Sequence, residues 1–176
     1  RQIVESVQKY FDIDQPVSTA TINRDIRLIG EALGVPSKEE LDEAAELLKP
    51  ENFAKWRAQI FKVKNGAVET PVHQEAWFYV MRAIALKVEI PDWVVEYLEL
   101  PDDINDDIDD PERLLSLILL APPRHGKTLL VQHTIIWLIC VDPNIRIIYS
   151  NGTRPITRQG VDYMRTELEH NEELNR

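Results

Sequence analysis

The sequence predicts an α/β chain, the start of a parallel sheet with flanking helices, preceded by an all-α N-terminal region. Three observations carry this. Residues 114–120, "LLSLILL", form an apolar run without alternation, as expected of a parallel strand covered on both faces. A second apolar run, "IRIIYS" at 145–150, follows after one helix length, so strand, loop, helix, strand, helix is the expected order. Upstream of residue 100 the apolar residues recur at helical spacing instead.

From the N-terminus, "QIVESVQKYF" places Ile3, Val4, Val7, Tyr10 and Phe11 on one helical stripe, and "DIDQPV" ends it. In "STATINRDIRLIGEAL", Ser18 or Thr19 is the N-cap, Ile22, Ile26, Ile29 and Leu33 keep helical spacing, and Gly34 closes the element. Two helices joined by a short turn are open to two readings. One is a helix-turn-helix with Thr19, Thr21, Asn23, Arg24 and Arg27 outward; the other is a helical protein-docking region. Ser37 and Glu40 stand in capping-box register, which starts a third helix. The composition then changes near Pro50, dividing the chain into a helical accessory region, 1–48, and the α/β part, 49–176. "PENFAKWRAQIF" and "PVHQEAWFYVMRAIALK" read as aromatic-rich helices, with Trp77, Val80, Met81 and Ile84 as a core stripe and Pro71 in the first turn. "PDWVVEYLEL" is a shorter helix. "GKTLLVQHTIIWLICV", apolar on most of its surface, is a helix packed between layers, and a last helix runs from about Pro155 to Glu169.

Charge is unevenly spread. Residues 89–112 hold eleven Asp and Glu with no Lys or Arg, so setting them aside takes the net charge of -10 to +1. The run "DDINDDIDD" reads as a solvated linker; as a metal site it lacks the glycine and terminal glutamate of a calcium loop. With 44% hydrophobic and 28% charged residues the composition is that of a soluble globular chain, and no apolar run reaches membrane-helix length. The single cysteine, Cys140, cannot pair within the chain and is expected as a buried free thiol of a reducing compartment. A start at Arg1 and a stop at "ELNR", where a parallel sheet would still have open edges, read as a fragment.

Residues 121–128, "APPRHGKT", match phosphate-loop spacing, with Ala121 where glycine is usual. Such a loop turns successive N–H groups toward phosphate oxygens and adds the positive end of the following helix. Gly126 lets the backbone approach the nucleotide. Lys127 would reach the β- and γ-phosphates, and Thr128 would give its hydroxyl to Mg²⁺. Arg124 either stabilises charge on the γ-phosphate or pairs with a neighbouring carboxylate, while His125 is mainly structural. Ala121, Pro122, Pro123, Arg124, His125, Gly126, Lys127, Thr128 and Leu129 form the expected ATP-binding loop. The fold class becomes the start of a P-loop NTPase sheet.

"LSLILLAPPRHGKT", followed by "IIWLICVDPNIRIIYSNGT" and preceded by "HQEAW" at 73–77, resembles the large terminase subunit of tailed bacteriophages, the ATPase that packages DNA into a procapsid. The resemblance covers roughly residues 50–176 and is most specific in "PPRHGKT". It implies an ATP- and Mg²⁺-dependent DNA translocase with Lys127 and Arg124 in catalysis, Thr128 at the metal and Gln74 as the adenine contact; Gln59 also lies upstream. It further implies double-stranded DNA, a portal protein and a small terminase subunit as partners, a homo-oligomeric ring during packaging, no membrane, and the host cytoplasm. The Walker B Asp, the catalytic Glu and a C-terminal nuclease have no match in this chain, which would stop before the Walker B strand. Arg154, Arg158 and Arg165 could face the DNA backbone, a neighbouring subunit, or solvent. A helicase-like or recombination P-loop ATPase, and a non-hydrolytic interaction module with a vestigial phosphate loop, are the competing functions.

Overall fold

The structure is a computed structural model that describes residues 36–61, 70–110 and 115–174. The helices expected at 2–11 and 18–33, and with them the helix-turn-helix residues, lie outside the described residues. The chain divides into two units, Arg1–Ala45 and Glu46–Arg176. In the first, the capping box at the start of α1 (Lys38–Leu47) is formed. The Ser37 amide donates to Glu40 Oε2 at 2.7 Å and the Glu40 amide to Ser37 Oγ at 3.2 Å. Those bonds hold the Glu40 carboxyl below the usual carboxylate range.

The second unit is helical. After a 3₁₀ turn (Pro50–Asn52) come α2 (Phe53–Ile60), α3 (Val72–Leu86), α4 (Asp92–Tyr97), α5 (Ile104–Asp109), α6 (Lys127–Val141) and α7 (Arg154–His170). Pro71 is the N-cap of α3 rather than part of its first turn. Helix α3 packs chiefly on α6, and α6 on α7. The core between them is aromatic. Phe53 stacks on Phe78 at 3.6 Å, and Phe78 meets Trp137 edge-on at 5.0 Å. Trp56 meets Phe61 edge-on at 5.5 Å, and Phe61 stacks on the His133 ring at 3.6 Å. Ile90, Val94, Ile108, Leu130, Ile136 and Met164 complete it. On α3 the buried face is Ala76, Phe78, Tyr79, Val80 and Ala83, and Trp77, Met81 and Ile84 flank it.

The expected parallel sheet is absent: among the described residues there is no strand. Residues 115–120 and 145–150, both read as strands, carry neither helix nor ladder. Leu115 and Leu117 pack on the helical core, whereas Ile118 and Leu120 are 79% and 87% exposed. Ile148 is 98% exposed. The α/β, P-loop NTPase fold class is therefore corrected to a helical one for the described chain. The physical reason lies in what a strand is: apolar β-branched residues favour extension, but only a hydrogen-bonded neighbour makes a sheet. Helix α6, expected between sheet and helix layers, lies between helices instead, which its all-round apolar surface fits equally well.

The acidic run is also more ordered than a linker. Ile108 is buried within α5, and the Asn105 side chain accepts from the Ile90 amide at 2.8 Å and donates to the Ile90 carbonyl at 3.2 Å. No carboxylate cluster suited to a metal occurs among the described residues. Cys140 is a half-buried free thiol whose pKa burial pushes up. No described helix is long and apolar enough to cross a membrane.

Candidate functional site: the loop before α6

Pro122 and Pro123 cannot donate a backbone hydrogen bond, and they lead the chain into a turn that ends at Gly126. Both Arg124, at φ 67°, and Gly126, at φ 71°, are left-handed. Gly126 is the N-cap of α6, and its carbonyl accepts from the Leu130 amide at 2.8 Å. No side chain caps this end, so the first amides of the helix, those of Lys127, Thr128 and Leu129, have no acceptor within it. A left-handed residue followed at once by a right-handed helical one is the arrangement that makes successive N–H groups converge on an anion.

Lys127 folds back across the turn. Its ammonium donates to the Ala121 carbonyl and, at 2.9 Å, to the Pro122 carbonyl. It is held by neutral acceptors, and an arriving anion can compete for it. Pro122, Pro123, Arg124, His125, Thr128 and Leu129 are exposed, and Ala121, Gly126 and Lys127 half-buried. Arg124 makes no ion pair among the described residues, so the carboxylate pairing considered for it is not formed there. The His125 ring lies 6.1 Å from that of His73, which meets Trp77 edge-on at 5.0 Å.

Gly126 is required for a reason the spacing did not supply. A Cβ there would stand 3.0 Å from Gln74 Nε2, on the protein side of the loop. Gln74 itself is buried, whereas Gln59, the other upstream glutamine, is exposed. The Gln74 amide donates through Nε2 to the His125 carbonyl at 2.9 Å and accepts at Oε1 from Arg57 at 2.6 Å.

Behind Gln74 stands a buried polar chain that was not foreseen. The Arg57 guanidinium donates through Nε to His133 Nδ1 at 2.9 Å and through NH1 to Thr70 Oγ1 at 3.4 Å. The other ring nitrogen of His133, Nε2, lies 3.0 Å from the Tyr163 hydroxyl. Because a guanidinium can only donate, Nδ1 must accept, and a neutral imidazole then carries its proton on Nε2 and donates to Tyr163. Burial, reinforced by the Arg57 charge, lowers the His133 pKa to about 3, so the ring is neutral at pH 7. Burial pushes the Tyr163 phenol up to about 12 and the Arg57 guanidinium below its ordinary value. The sequence signals were polar residues where a core should be: Arg57 in an aromatic helix, and Gln132, His133 and Thr134 inside an apolar one.

Arg154, Arg158 and Arg165 lie on α7, all exposed. Arg158 and Arg165 both reach the Asp162 carboxylate, at 3.6 and 3.5 Å, which offsets part of their charge. No protein family, curated protein or solved structure compared with the chain matches it.

Proposed function

We propose that the chain binds ATP through residues 121–129 as part of a viral DNA-packaging motor of the large-terminase kind, which couples ATP hydrolysis to movement of double-stranded DNA into a procapsid. The observation that carries the proposal is the uncapped start of α6, where left-handed Gly126 precedes a helical Lys127 whose ammonium already lies over the turn. Three amides without an acceptor in the helix, a cation held only by neutral carbonyls and a helix dipole favour an anion such as a phosphate chain. Lys127 would hold the β- and γ-phosphates, and Arg124, exposed and without an ion-pair partner among the described residues, would meet charge on the γ-phosphate. The exposed Thr128 hydroxyl would join Mg²⁺, which when bound neutralises phosphate oxygens. No described carboxylate cluster would hold the ion by itself, so it would arrive with the nucleotide.

Calorimetry with ATP and Mg²⁺ tests the binding step. Lys127→Ala should weaken binding at least about tenfold, the loss of one charge-assisted contact, and should abolish ATP-dependent packaging by the intact motor. Normal packaging by that variant defeats the proposal. A second reading, an interaction module with a vestigial phosphate loop, is favoured by the lack of any strand among the described residues. It expects no heat of binding from ATP.

A further inference from the structure

We propose that Gln74 is a positioning residue that sets the orientation of the His125–Gly126 peptide, braced by Arg57, His133 and Tyr163, and that it does not read the base of a nucleotide. The proposal rests on the reading of the loop as a phosphate site. Its starting point is the planarity of the peptide unit, in which C=O and N–H point in opposite directions. Gln74 Nε2 draws the His125 carbonyl toward the protein at 2.9 Å. The Gly126 N–H must then point away from Gln74, to the open side of the turn. A flip of this peptide would aim a carbonyl lone pair at an arriving phosphate and withdraw a donor. Gln74 holds the peptide in the state that receives an anion.

The amide is poorly placed for a base. Recognition of adenine by a glutamine takes one donor and one acceptor together. In Gln74 the acceptor is engaged by Arg57 at 2.6 Å, one donor by the loop, and the side chain is buried. Its setting is fixed from behind. Arg57 is held by His133, whose ring is clamped by stacking on Phe61 at 3.6 Å and by Tyr163 at 3.0 Å. Each link is buried or half-buried, so removing one leaves a polar group unpaired. The chain thus runs from the loop through α3, α2 and α6 to α7.

Two ligands and one ligand-free readout test this. ATP and inorganic tripolyphosphate, each with Mg²⁺, are titrated into the wild-type chain, Gln74→Met and Tyr163→Phe, and amide hydrogen exchange at Gly126 is measured without ligand. Gln74→Met keeps the side-chain volume, and Tyr163→Phe keeps the ring, so both preserve packing. Ile136→Val serves as a core variant that removes one methylene and none of these hydrogen bonds. The expected result is that Gln74→Met weakens both ligands by the same factor, about tenfold for one lost hydrogen bond. It also speeds exchange at Gly126, as Tyr163→Phe does to a smaller degree and Ile136→Val does not. Loss of ATP binding with tripolyphosphate binding intact would show a base contact and overturn the proposal. Unchanged exchange at Gly126 in Gln74→Met overturns it as well. A wild-type chain that binds neither ligand refutes the nucleotide reading instead, and exchange at Gly126 then decides the positioning role alone.

Discussion

Gly126 sits at φ 71° with the Gln74 amide 3.0 Å from where a Cβ would stand, so two separate penalties meet at one residue. A left-handed non-glycine residue costs roughly 1–2 kcal/mol before any contact is counted. Gly126→Ala should therefore lower the unfolding free energy by about 2 kcal/mol and displace Gln74, seen as a shift of the Gln74 side-chain amide resonances. His133 makes a prediction of the opposite kind, readable in pH. Its pKa falls from 6.5 to about 3 on folding, so between those values the unfolded chain takes up a proton that the native ring refuses. Stability contributed by the neutral ring is complete above pH 6.5 and declines as pH falls, by up to about 1.4 kcal/mol per unit. Denaturant titrations from pH 7 to 4 should show this slope, and His133→Gln should flatten it. Neither residue's role could be read from "HGKT" or "QHT", because both depend on partners 30 to 76 positions away in the chain.

At the scale of elements, α7 approaches the 145–150 segment through a glycine. A Cβ at Gly160 would lie 2.7 Å from the Tyr149 ring and hydroxyl. Alanine gains about 1 kcal/mol of helix propensity over glycine, but overpacking costs typically about 1–3 kcal/mol. Gly160→Ala should be net destabilising by about 1 kcal/mol, and in a Tyr149→Ala background the same change should stabilise, a sign reversal that a double-mutant cycle measures. The helices were legible where local rules govern them. The Ser37–Glu40 capping box forms as spaced, and α7 begins and ends within a residue of the range its pattern predicts. The apolar runs at 114–120 and 145–150 were misread for a physical reason: helix bonds close within four residues, whereas strand bonds need a second segment that no local pattern names.

For the molecule as a whole, stability in the 46–176 unit rests chiefly on the aromatic core shared by α2, α3 and α6; Leu115, Leu117, Ile145 and Tyr149 of the apolar runs pack against it, whereas Ile118, Leu120 and Ile148 do not. Ile148, at 98% exposed, has almost nothing to lose on substitution. Ile148→Lys should shift the unfolding free energy by less than about 0.5 kcal/mol in chemical denaturation, while reducing association of the chain in light scattering. By itself the sequence determined the described helices other than α5, which it offered as a linker, together with the turn at Gly126 and the set of charged and hydroxyl groups on it. These follow from residues within a few positions of one another. Only the tertiary structure decided that the apolar runs form no strand among the described residues, that Gln74 faces the loop backbone, and that Arg57, His133 and Tyr163 stand in line behind it. A hydrogen bond between distant segments has no signature in either segment alone; it comes into being when packing of the core sets their separation.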